Sequence, residues 1–183
     1  MIEMELLGVQ VEMPSNSPLM LLKETSGSGR VLPVVIDTPE AQAIYRGLEG
    51  VRMARPLTHD LLRNLLEDLG ATVSRVTLTE LRDRTFFAEI ELELGGVTHV
   101  VSSRPSDAIA LAVRTDSPIF ATEEILSVAG QYIDLPKDDD EDGTFSDDIL
   151  PDTDAAGDGP APDELIDEFA KFIEDVSPED FDN

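Results

Sequence analysis

The chain of 183 residues has no cysteine, only two histidines, and few basic residues. Without cysteine it can form no disulfide, no thiolate nucleophile and no Cys-based zinc or iron–sulfur site. No apolar run approaches the ~20 residues that a membrane-spanning helix needs. The opening MIEMELLGVQVEM is acidic and alternating, unlike a secretory signal. A cytoplasmic protein with no membrane partner is expected. Lysine and arginine together number 13 against 39 acids, for a net charge of −26. The shortage is uneven. Residues 1–136 hold 11 basic against 20 acidic side chains, whereas residues 137–183 set Lys137 and Lys171 against 19 acids. Such a field opposes long-range attraction of nucleic acid, which argues against a DNA-coating protein more than against a small local anion site. Ten of the 11 basic residues before position 137 are arginines, the side chain better suited to bidentate phosphate or carboxylate pairing.

The first 136 residues read as one α+β domain. Residues 1–13 alternate with a change of parity near Gly8, which predicts a bulged strand. LMLLK and VLPVVI read as two more strands, with Pro33 tempering the second because it lacks an N–H. DTPEAQAIYRGLEG predicts a helix capped by Thr38, with Pro39 at its first turn and Gly50 as its stop. A second helix from Thr58 carries Leu61, Leu62, Leu65, Leu66 and Leu69 as an apolar stripe. Residues 73–101 alternate strongly and predict two hairpins. A three-residue loop, Asp83-Arg84-Thr85, would set Leu78 against Ile90, Val76 against Leu92 and Arg75 against Glu93. The Gly95-Gly96 turn then places His99 opposite Leu92, as a half-buried structural histidine. RPSDAIALAVRT, the strand PIFA and a helix capped by Thr122 complete the order β-β-β-α-α-β-β-β-α-β-α. This order predicts a largely antiparallel or mixed sheet with packed helices, and its exposed strand edge predicts a homo-oligomer. No glycine-rich phosphate loop follows a strand, and no zinc site, EF-hand or nucleophile elbow is present.

The remainder is an acidic C-terminal tail. Residues 137–161 are too charged to fold alone and read as a disordered linker. Residues 162–177 show helical periodicity through Leu165, Phe169, Phe172 and Val176, and residues 178–183 form a disordered end. The amphipathic segment is expected to dock on its own domain or on a protein partner. A further expectation is that the acidic segment lies over an arginine-lined site and excludes substrate.

The polar residues cluster in RPLTHD (55–60) and RPSD (104–107), each an Arg-Pro ahead of a carboxylate at a helix start. One reading is structural: Pro56 stiffens the entry, Thr58 caps, and Asp60 complements the helix dipole. The other is chemical. Free N–H groups at a helix start favour an anion, Arg55 adds a bidentate donor, His59 can carry a proton, and Asp60 can serve as metal ligand or base. Arg104 likewise suits either substrate phosphate or a framework pair with Asp60 or Glu40, and Asp107 suits either a metal or its own helix. Asp37 and Glu40 could together reach one cation.

LPVVIDTPEAQAI, RPLTHDLLRNLLEDLGA, RVTLTELRDRTFFAEI and above all SSRPSDAIALAVRTDSPIFATEEIL resemble the bifunctional nuclease domain family, also described as DUF151. The resemblance covers residues 1–135 or so. It implies DNase and RNase activity, with functional positions at Glu40, Arg55, His59, Asp60, Arg104, Ser106 and Asp107. In that scheme Arg55, Arg104 and Ser106 bind substrate phosphate. Asp60 and Asp107, with Glu40, hold Mg2+ or another divalent cation, and His59 moves a proton. Where the family often shows Trp-Ile-Gly before the first helix, this chain has Val35, Ile36 and Asp37, which alters backbone freedom and adds a charge there. The alternatives are a non-enzymatic regulatory or protein-interaction module and, more weakly, a sensor of a small acidic ligand. Convergence of the two Arg-Pro segments on one open cleft is the geometry that the nuclease reading requires.

Overall fold

The computed structural model describes residues 1–12 and 15–132, all within one compact unit. The elements are β1 (Ile2–Glu12), β2 (Ser17–Glu24), β3 (Val31–Val35), α1 (Thr38–Leu48), α2 (Thr58–Asp68), β4 (Ala71–Arg82), β5 (Thr85–Leu94), β6 (Val97–Ser103), α3 (Pro105–Thr115), β7 (Ile119–Ala121) and α4 (Glu123–Ala129). Seven strands form one mixed sheet in the order β3-β2-β1-β7-β4-β5-β6. Only the β4–β7 pair is parallel. The fold is therefore the expected single α+β domain. The postulated segments 137–161, 162–177 and 178–183, with the docking and masking roles considered for them, lie outside the described residues.

Sequence chemistry accounts for most of these elements. β1 breaks register between Leu6 and Gly8, and Gly8 takes φ 134°, a conformation that costs glycine little. Pro33 sits opposite Leu21 in β3, the outermost strand, where a missing N–H is tolerated. The Thr122 side chain accepts from the Ile125 N–H at 3.4 Å and caps α4. The expected threonine caps of α1 and α2 are not used. Thr38 and Thr58 are already helical, and Asp37 and Leu57 occupy the cap positions.

The β4–β5 hairpin differs from the three-residue loop expected. Arg82 pairs with Thr85, leaving a two-residue turn of Asp83 and Arg84, both at positive φ (50° and 64°) as a type I′ turn requires. A bulge at Thr79 absorbs the difference. It sets Leu78 against Ala88 and Val76 against Ile90, and brings Arg75 against Glu91, where the two side chains form an ion pair at 2.6 Å. Apolar matching is preserved by one extra residue. The β5–β6 register does place His99 opposite Leu92, but His99 is exposed rather than half-buried, because β6 is the sheet's edge.

α3 is the central helix. Ala108, Ile109, Ala110, Leu111 and Ala112 are all buried. The small alanines let α1, α2 and the β4–β5 strands approach closely, and burial of a side chain such as Leu111 contributes roughly 1.5–3 kcal/mol. α1 comes so near that a Cβ at Gly47 would lie 2.6 Å from atoms of Val113 and Arg114. α2 behaves differently: none of its residues is buried, and Leu61, Leu62, Leu65 and Leu69 remain exposed.

Candidate active site

The first turns of α1, α2 and α3 meet at one mouth. Glu40 belongs to the first turn of α1, His59 to that of α2, and Asp107 to that of α3, with Arg104 at the α3 cap position. Carboxylates are favoured there because the N-terminal end of a helix is partially positive. His59 Nε2 lies 3.2 Å from Asp107 Oδ1. An ionised carboxylate only accepts, so Nε2 is the donor of this pair, and in the neutral imidazole Nδ1 is then the nitrogen with the lone pair. Arg104 binds Asp107 in bidentate fashion, from Nε to Oδ2 at 2.6 Å and from Nη2 to Oδ1 at 2.9 Å. Its Nη1 donates to Glu40 Oε1 at 2.7 Å. Those bonds use three of five guanidinium N–H groups, and with a side chain 62% exposed the arginine keeps donors for solvent or ligand.

These contacts set the electrostatics. The two hydrogen bonds from Arg104 hold the Asp107 carboxyl below its usual range against the opposing effect of burial, and the contact with His59 adds to the lowering. The same two carboxylates raise the Arg104 guanidinium pKa further above its already high value. The mouth opens to a depression of about 370 Å³ lined by Glu40, His59, Arg104 and Asp107 with Arg46 and Arg114. Arg104 is not sealed against Asp60; its framework partner is Glu40, and it stays accessible.

Asp60 goes elsewhere. Its Oδ1 accepts from Arg114 Nε at 2.6 Å, and its Oδ2 accepts from the Leu57 N–H at 3.1 Å. Burial alone would raise its pKa, but the Arg114 and Leu57 hydrogen bonds outweigh that and keep it below the ordinary carboxylate range. Arg114, 5% exposed, also donates from Nη1 to the carbonyls of Ala43 and Ala110. It therefore ties α1, α2 and α3 together. The grouping of Asp60 with Glu40 and Asp107 is thus not what the geometry assembles. Arg55 is exposed and lines none of the three depressions around the mouth. Ser106 is buried and borders a neighbouring depression with Arg104. Sequence reasoning missed Arg114. Its position seven residues after Asp107 on one helix, two turns apart on the same face, was the available signal.

Glu40 Oε2 is buried with no hydrogen-bond partner, although its Oε1 is paired. Among the described residues no group of three or more histidine and acidic side chains could hold a metal ion. No helix among them is long and apolar enough to cross a membrane.

Residues 20–134 match the family model of the bifunctional nuclease domain, which spans both Arg-Pro segments and every residue of the mouth. The chain belongs to the bifunctional nuclease domain family. An uncharacterized protein of Mycobacterium tuberculosis is 36% identical over 179 residues, covering 98% of this chain and 97% of that protein. Bifunctional nuclease 1 and bifunctional nuclease 2 of Arabidopsis thaliana are each 30% identical, over 105 and 112 residues. Those matches cover 56% and 58% of this chain but only 32% and 34% of the plant proteins, so the chain spans about a third of their length. The mycobacterial match extends through the acidic tail, which lies beyond the family model's limit at residue 134. Membership of the bifunctional nuclease family favours a hydrolase over the non-enzymatic module.

Proposed function

We propose that the chain hydrolyses phosphodiester bonds of DNA and RNA at the mouth formed by α1, α2 and α3. The single observation that carries this is the His59–Asp107 pair beside an accessible Arg104 in one open depression. Asp107 holds the imidazole so that Nδ1 can take a proton from an attacking water. Arg104 is the phosphate donor, and its fixed fork suits charge building on non-bridging oxygens. Arg55 and Ser106 are assigned to the substrate as outer contacts, and Asp60 acts as a positioning residue through Arg114.

The donor set accommodates a divalent cation without a protein cage. Mg2+ commonly takes one or two carboxylates and completes its shell with water and substrate phosphate. The unpartnered Glu40 Oε2 and the half-buried Asp107 are the carboxylates that would hold it. The bound cation would supply charge neutralisation on the phosphate. Purified protein with Mg2+ or Mn2+ is expected to cleave single-stranded DNA and RNA oligonucleotides, and excess chelator to stop it. If no divalent cation yields product from either polymer, the nuclease reading is wrong.

The protein is further proposed to form a homo-oligomer. Among the described residues β6 is an unpaired edge that exposes Val97, Val100 and Val101, and α2 exposes Leu61 and Leu65. Edge strands and apolar helix faces of this kind are normally covered. Light scattering is expected to give at least twice the chain mass for wild type and the monomer mass for a Val97→Lys, Leu65→Glu variant. A monomeric wild type at micromolar concentration would end this proposal.

A further inference from the structure

The depression at the His59–Asp107 pair is the middle one of three. On one side it shares Glu40 and Arg104 with a depression of about 230 Å³ that also includes Arg84. On the other it shares Arg46 and Arg114 with one of about 510 Å³ that includes Arg52 and Arg63. The two outer depressions share no lining residue. Together they make a groove that continues past the candidate catalytic pair in both directions.

The arginines of this groove fall into two sets. Arg104 and Arg114 are occupied by carboxylates. Arg46, Arg52 and Arg84 make no side-chain hydrogen bond or ion pair among the described residues. In a chain with three times as many acids as bases, three guanidiniums without a carboxylate in one groove call for an anionic ligand. Arg46 is the sharpest case, because it is half-buried and yet unpaired, a cost that a bound phosphate would offset. These free cations lie on both sides of the pair: Arg84 on one, Arg46 and Arg52 on the other.

The larger depression adds a second feature. Val51, Met53 and Pro56 line it beside Arg46 and Arg52, and Val51 and Met53 are exposed. Apolar side chains beside guanidiniums suit an unpaired base next to its phosphate. A duplex keeps its bases stacked inside and would present only phosphate there. Its higher charge density would also meet greater repulsion from the domain's net negative field.

We infer that the groove binds a single-stranded polynucleotide on both sides of the bond that is cut, so that the protein is an endonuclease acting within the strand. This rests on the hydrolytic reading of the His59–Asp107 pair. An enzyme that trims ends needs a strand on one side only, and a wall or terminus-binding group on the other. Here both sides are open and each offers a guanidinium without a carboxylate partner among the described residues, Arg84 on the side that Asp37 also lines and Arg46 and Arg52 on the other.

Covalently closed single-stranded DNA circles have no ends and read the claim directly. With Mg2+ or Mn2+ the full chain is expected to convert circles to linear strands at a rate comparable to its internal cutting of a linear strand. Relaxed duplex circles are expected to be cut at least about tenfold more slowly, since their bases cannot enter the larger depression. Arg46→Gln and Arg84→Gln, on opposite sides of the pair, should each weaken binding of a fluorescein-labelled single strand in chelator by about tenfold. Each should also flatten the dependence of log affinity on log salt by about 0.7. Intact circles beside degraded linear strands would overturn the endonuclease inference and leave the nuclease reading standing. Intact circles and intact linear strands would overturn both. Equal cutting of single-stranded and duplex circles, or wild-type binding by both arginine variants, would overturn the groove as a single-strand track.

Discussion

Asp107→Asn is expected to fold normally and to cleave oligonucleotides about 10²–10⁴-fold more slowly than wild type, the usual contribution of a positioned acid–base group. The asparagine keeps the shape but not the charge. Its amide can present an N–H where the carboxylate presented a lone pair, so the imidazole can settle with Nε2 as acceptor and Nδ1 protonated. Nδ1, the proposed base, would then be unable to take a proton. The fold should survive because Asp107 is partly exposed and its pair with Arg104 reaches solvent, a setting in which an ion pair is worth about 1 kcal/mol or less. Mild acid is a different matter. Asp107 is held ionised below the usual carboxylate range by Arg104 and His59, so lowering the pH through that range leaves its charge in place. The stability it contributes is present above the unfolded carboxylate pKa and fades only as pH falls through the lower folded value. Thermal unfolding and single-turnover cleavage on the same preparation check both parts. A Tm loss as large as the activity loss would make Asp107 structural.

Arg114→Met is expected to do the opposite, lowering stability by about 3–5 kcal/mol. The methionine fills the arginine's path but leaves the Asp60 carboxylate without its guanidinium and removes the side-chain donor that the helical carbonyls of Ala43 and Ala110 share. Breaking a buried pair from one side leaves an uncompensated charge, which is why the cost exceeds that of a surface pair. For a domain of this size the expected fall in Tm is about 10 °C. Arg114→Lys should rescue little, because an ammonium cannot serve three acceptors in a fixed planar arrangement. Asp60→Asn should lower Tm in the same sense. Calorimetry on the three variants checks this. Wild-type Tm in Arg114→Met would mean that the three helices are held by packing alone.

These contrasts show what the sequence could and could not convey. The order of all 11 elements is legible because each carries its own local signal: alternation through 85–94, the leucine period of 58–69, Pro105 at a helix start, Thr122 as a cap. The hairpin register is not: the apolar residues of β4 change parity between Val73 and Val76 and again between Leu78 and Leu81, and a parity change alone does not say whether a bulge or a longer loop restores the match. Likewise the leucines of α2 announce an apolar face without saying what covers it, and among the described residues none of that helix is buried. His99 illustrates the same gap. Its register was readable, but its exposure depends on β6 being the last strand.

At the site, helix-start chemistry singled out Glu40, His59, Arg104 and Asp107, and these four come together. Asp60 carried the same local signal but pairs with Arg114. That outcome depends on how closely α1 and α3 approach at Gly47, a tertiary distance. The unpaired state of Arg46, Arg52 and Arg84 was equally hidden. Whether an arginine has a carboxylate partner is decided by the assembled fold, and an acidic chain offers many potential partners.

The central claim is that His59 and Asp107 act as one unit on the phosphodiester. A double-mutant cycle with His59→Ala and Asp107→Asn, read by single-turnover cleavage of one defined oligonucleotide, tests it most directly. Residues that act as a unit give non-additive losses, so the double variant should be no slower than the slower single variant. A double variant slower than wild type by the product of the two single losses would mean that the two residues work independently.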